Sequence, residues 1–149
     1  MTIGIVLEET MSGWIRYDGE AVDHPFAFTI RAYTPRLFAL TAPRHFRGVV
    51  RVAAQDVPCT GVLTIRPTGP RYELAFDHPQ LGALRAEGEK TYSAHPAKLV
   101  ASLITCPLVI SRDGRAIGSA EVMYRDSMLA FPFKAVKFVR EEAAYGRYA

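Results

Sequence analysis

The sequence predicts a mainly β protein: one antiparallel domain, a sandwich or flattened barrel, with one or two short helices. Two stretches and a pair of turn signals carry that prediction. In Arg71–Tyr92, Tyr72, Leu74 and Phe76 alternate with Arg71, Glu73 and Asp77. After the break DHPQLG, Leu84, Ala86, Gly88 and Tyr92 alternate with Arg85, Glu87, Glu89 and Thr91. A period of two on both sides of a turn marks paired strands with one buried face. Phe26, Phe28 and Ile30 repeat the pattern against Ala27, Thr29 and Arg31. Asp18-Gly19 and Asp113-Gly114 are tight-turn signals, because both residue types tolerate positive φ.

The remaining elements follow in chain order. Ile3–Leu7 is a short apolar run, interrupted at Ser12-Gly13 before a first strand over Trp14–Tyr17. Thr34-Pro35 reads as a helix start, Thr as N-cap and Pro in the first turn, and Ala42-Pro43 stops that helix within about two turns. Gly48–Ala54 and Gly61–Arg66 are further strands joined by Gln55–Pro58, and Pro67–Pro70 is a tight turn. Ser93–Pro96 is a turn, and Ala97–Ile104 fits a helix or a strand. Leu108–Ile110 and Ile117–Tyr124 form a hairpin about Asp113-Gly114. Asp126 or Ser127 can cap a C-terminal helix carrying Met128, Leu129, Val136 and Val139, bent or delayed by Pro132, and the tail EEAAYGRYA is expected to fray. No linker divides the chain, so residues 1–149 are expected to form a single domain.

Composition narrows the function classes. With 149 residues, 49% of them apolar, the chain has material for a substantial core. Eighteen basic against 15 acidic residues leave +3, too mild for a nucleic-acid protein. Arg44, Arg47 and Arg51 form one loose basic cluster around His45 and Phe46, for which a solvated loop face is a simpler reading than a phosphate patch. The apolar run Ile3–Leu7 has no basic residue before it and ends at Glu8, unlike a secretory signal. No window approaches the roughly 18 apolar residues of a membrane helix. Cys59 and Cys106 match no metal spacing and read as buried free thiols, so a cytoplasmic domain is expected.

Candidate chemistry is sparse. Asp23-His24-Pro25 recurs as Asp77-His78-Pro79, and Ile30-Arg31-Ala32 follows the first as Leu84-Arg85-Ala86 follows the second. Either a duplicated unit or repeated turn chemistry produces this echo. Two Asp-His pairs could converge on a metal, but three protein ligands are the usual minimum and spacing supplies no third. A hidden His/Asp enzyme site is therefore the weakest reading. His45 and His95 have no partners, no serine lies in a nucleophile elbow, and no glycines gather into a phosphate loop. No cofactor, no metal and no catalytic residue is expected. The aromatic residues remain: Trp14, Tyr72, Phe76 and Tyr92 are the candidate ligand-binding side chains. With Phe26 and Phe28 they either line a pocket for a small apolar ligand, in the manner of a lipocalin-like carrier, or fill a solid core, the more ordinary outcome.

Several short motifs together resemble a known family. Glu8-Glu9-Thr10-Met11-Ser12-Gly13-Trp14 resembles the opening of an accessory β-rich region attached to bacterial cholesterol-oxidase-like flavoproteins of the glucose-methanol-choline class. Phe26–Ile30, Pro35–Gly48, Gly88–Thr91 and Gly118–Val139 are similar to its later segments in the same order. Gly69-Pro70 and Phe131-Pro132-Phe133 depart from that pattern. The resemblance implies a non-catalytic accessory module, working with a lipid- or sterol-oxidising flavoprotein or its substrate. It transfers no functional residue and no flavin-binding fingerprint.

Overall fold

The computed structural model describes residues 3–34, 43–66, 68–89, 105–124, 136–140 and 145–148. Among these lie nine strands, all in one antiparallel sheet: β1 (Ile3–Tyr17), β2 (His24–Thr34), β3 (Arg44–Val52), β4 (Gln55–Arg66), β5 (Gly69–His78), β6 (Gly82–Glu89), β7 (Thr105–Arg112), β8 (Arg115–Tyr124) and β9 (Val136–Arg140). Each strand from β1 to β8 pairs with the next, and β8 returns to β1, which closes an eight-stranded up-and-down barrel. The mainly β prediction holds, and of its two alternatives the barrel is the one formed.

Closure depends on β1, which is long enough to be shared. One edge pairs with β2 from Ile5↔Thr34 to Ile15↔His24. The other edge is divided: Met11–Tyr17 pairs with β8, and Ile3–Leu7 pairs with β9. Ser12-Gly13 does not interrupt the strand as expected. A side chain at Gly13 would run into the Glu121 carbonyl of β8, so glycine is what lets the two strands approach and close the ring.

Gly61 shows the same device with its compensation visible. A Cβ there would strike both the Glu73 carbonyl and the ring of Phe46, its cross-strand partner. Aromatic residues stand opposite inward glycines in three more pairs: Phe26 with Gly13, Tyr72 with Gly88, and Tyr17 with Gly118. The bare backbone permits the sharp coil, and the neighbouring ring fills the volume left over.

Alternation decides what faces inward. Met11 and Ile15, Phe26, Phe28 and Ile30, Phe46 and Val50, Tyr72, Leu74 and Phe76, Leu84 and Ala86, and Ile110 are all buried in one interior cluster. Ring contacts run through it in a file: Phe76 to Phe26 at 6.0 Å, Phe26 to Phe28 at 6.2 Å, Phe28 to Tyr72 at 6.4 Å. The Tyr72 hydroxyl then donates to the buried Glu9 carboxylate at 2.5 Å. Cys59 and Cys106 are buried free thiols, and burial pushes Cys59 up to about 12.

Outward positions carry charge. Arg66 and Arg71 of β4 and β5 share Glu89 of β6 at 2.6 and 2.9 Å, and these bonds hold its carboxyl below the usual range. The basic cluster of β3 lies on a strand rather than a loop. Arg47 stacks on Tyr145 at 4.9 Å and Arg51 pairs with Asp56 at 3.2 Å, while Arg44 shares the inward parity of Phe46 and is lowered by burial.

Three expectations are corrected. Val136 and Val139 belong to β9, not to a helix, because the free edge of β1 beyond β8 takes them as a strand. The Gln55–Pro58 connection is the start of β4; the turn lies earlier, at Ala53-Ala54, with φ of 52° and 61°. Part of the tail is fixed: Tyr145 packs against Val6 and Tyr33 on the outside of the barrel, and a 3-10 turn follows at Gly146–Tyr148. The predicted helix over 35–42, the 93–104 segment, and Met128 and Leu129 lie outside the described residues. No helix among the described residues is long and apolar enough to cross a membrane.

Candidate ligand-binding mouth

The β1–β2, β3–β4, β5–β6 and β7–β8 connections, the first of six residues and the others tight turns, all lie at the same end of the barrel, as an up-and-down meander requires. A cavity of about 870 Å³ opens there. Its apolar wall includes Ile15, Pro25, Val52, Leu81 and Ile117. The Phe26–Phe76 contact lies one inward position deeper, since Phe26 follows His24 by two residues and Phe76 precedes His78 by two.

The two histidines of the Asp-His-Pro echo meet at this mouth, on either side of Tyr17. The Tyr17 ring lies 5.9 Å from His24 and 6.0 Å from His78, edge-on to the latter. Their positions in the fold are nevertheless not equivalent. His24 begins β2 and is exposed, whereas His78 ends β5 and is buried. These strands run in opposite directions, so the echo is shared turn chemistry at one end of a barrel rather than a repeated unit. The aspartates do not join the histidines in a common site. Asp23 binds Arg16 at 2.6 Å, Asp77 is exposed, and no group of three His, Cys, Asp or Glu is placed to share an ion among the described residues.

Each polar group at the mouth has a definable state. His78 Nδ1 accepts two backbone N–H bonds, from Gln80 at 3.0 Å and Leu81 at 3.1 Å, which tie it to the β5–β6 turn. Burial lowers its pKa, favouring the neutral ring. His24 Nε2 sits 2.7 Å from Glu20 in the open. Tyr17 is raised, first by burial and then by the Glu20 charge, so it stays a phenol. Its hydroxyl is buried without a hydrogen-bond partner among the described residues. Asp18, Glu20, Arg51 and Arg112 also line the cavity, and all four are exposed at its rim.

The sequence-selected candidates are separated by the fold. Tyr72 and Phe76 are inside, in the packed aromatic file. Trp14 has the outward parity of Ser12 and Arg16, lies 5.9 Å from the Arg16 guanidinium and does not line the mouth. Tyr92 lies outside the described residues. The residues that sequence reading missed are Tyr17, Arg112 and Ile117. A usable signal was present: Tyr17 and Arg112 each immediately precede an Asp-Gly turn, and in a meander those turns gather at one end.

Fold and site together define a closed antiparallel β-barrel, packed through its middle and open at its hairpin end. No protein-family model, curated protein or solved structure matches the chain.

Proposed function

We propose that the barrel is a binding protein for a small, mostly apolar molecule held at its mouth. The observation that carries this reading is the cavity of about 870 Å³ with its apolar wall. That volume falls within the range of roughly 300–1,000 Å³ used by small-molecule sites, which are apolar with a few placed polar groups. Eight-stranded barrels have the girth to hold one small ligand when side chains do not fill them completely. Beside a lipid- or sterol-oxidising flavoprotein, the role implied by the opening motif, the same cavity would hold an apolar substrate or product.

Titration with N-phenyl-1-naphthylamine, a neutral apolar dye without a carbonyl, tests the reading. Saturable fluorescence enhancement is expected, and Leu81→Trp, which fills the cavity from a half-buried position in the β5–β6 turn, is expected to abolish it. In the unsubstituted protein the emission of Trp14 should stay constant during displacement by non-fluorescent ligands, because that ring is on the outer face. Absence of saturable dye binding, or undiminished binding by Leu81→Trp, sinks the proposal.

A further inference from the structure

Resting on that reading, the geometry points to the chemical class of the ligand: a neutral molecule with an apolar body and a carbonyl acceptor, such as a ketone, received by the Nε2–H of His78. The argument begins with the tautomer. A ring nitrogen that accepts two backbone N–H bonds carries no proton, so the neutral His78 ring holds its proton on Nε2. Nε2 has no partner among the described residues, and His78 lines the cavity. The β5–β6 turn therefore fixes a hydrogen-bond donor in a wall that is otherwise largely apolar.

Tyr17 is a second neutral group of the same wall. Its buried hydroxyl has no partner among the described residues, an unfavourable condition that a small ring movement toward an acceptor would relieve. Charge is distributed the other way. The ionised groups lining the cavity, Asp18, Glu20, Arg51 and Arg112, are exposed at the rim; Glu20 lies beside His24 and Arg51 beside Asp56.

A carboxylate head placed at depth would give up its hydration and find only neutral donors, a net loss. A ketone head loses far less, and one good hydrogen bond compensates. The arrangement thus discriminates by charge as well as by polarity.

Displacement of N-phenyl-1-naphthylamine, a dye without a carbonyl, by 2-decanone and by decanoate, equal in carbon number, tests this. At pH 7.5 the ketone is expected to compete about tenfold more strongly than the carboxylate. His78→Phe should bring the ketone-to-carboxylate ratio to about one, each competitor being read against the dye's own affinity in that variant. Because His78 also holds the turn, two further readouts stand beside it: Tyr17→Phe should weaken 2-decanone several-fold relative to the dye, and the His78 imidazole ¹⁵N spectrum should show the Nε2–H tautomer shifting when 2-decanone is added. Dye binding with equal or better competition by decanoate, or an unmoved His78 signal, overturns the carbonyl assignment and leaves the binding reading intact. Failure of the dye to bind at all overturns both.

Discussion

Phe26 and Phe76 touch one inward position below His24 and His78, and between these two levels the interior changes from packed to open. Both regions are built by the same strands under the same alternation. What differs is the size and chemistry of the inward residues. The packed region sets large rings against inward glycines, so that Phe46 covers Gly61. At the mouth Tyr17 still stands opposite Gly118, but its neighbours are the aliphatic Ile15, Val52 and Ile117, and the β3–β4 turn adds only Ala53 and Ala54. Alternation thus settles which way a side chain points. Whether the interior closes there depends on the volumes that meet at one level of the barrel.

The largest test of this contrast is Phe26→Ala. Phe26 is 1% exposed and contacts both Phe28 and Phe76, so its truncation should cost about 3–5 kcal/mol in urea denaturation. A loss near that of a surface substitution, within about 0.5 kcal/mol, would mean the aromatic file is not the packed half. Next is Gly61→Ala, which forces a methyl group onto Phe46 and the Glu73 carbonyl. About 1–3 kcal/mol of destabilisation is expected, read by the same method, and Phe46→Leu in the same chain should recover part of it. The smallest effect belongs to the mouth. Ala53 and Ala54 have φ of 52° and 61°, a left-handed conformation that costs an L-residue about 1–2 kcal/mol. Ala54→Gly relieves that strain but loosens the unfolded chain, so a net gain of about 0.5 kcal/mol is expected. A net loss would show that the turn is held by something other than its backbone preference.

The fold was legible wherever turn chemistry and period agreed. Asp113-Gly114 is a hairpin turn, Asp18-Gly19 is a turn that opens the longer β1–β2 connection, and Tyr72, Leu74 and Phe76 face the core as their alternation required. Ala-Ala carries no turn signal, which is why the β3–β4 hairpin was misplaced. Val136 and Val139 suit a strand or a helix equally well, and only the unfilled edge of β1 decides between them. The site was less legible for a geometric reason. His24 and His78 stood out through their shared neighbours, but a linear pattern cannot show that the start of β2 and the end of β5 lie at one rim. Nor could it show that Trp14, aromatic and close to that rim in sequence, faces away.

The divided edge of β1 has a kinetic consequence. Its first partner, β2, is a hairpin neighbour, but the strands that seal the ring come from far along the chain, with Met11 against Tyr124 and Ile3 against Arg140. During synthesis the growing sheet can assemble strand by strand while both of its borders, the outer side of β1 and whichever strand has emerged last, stay unpaired. Such borders are templates for pairing with other chains, and contacts this distant in sequence form slowly. Until β8 and β9 arrive, the nascent protein is an unsealed sheet exposing its apolar inner face, and its yield in a cell is expected to depend on how quickly those final strands are delivered.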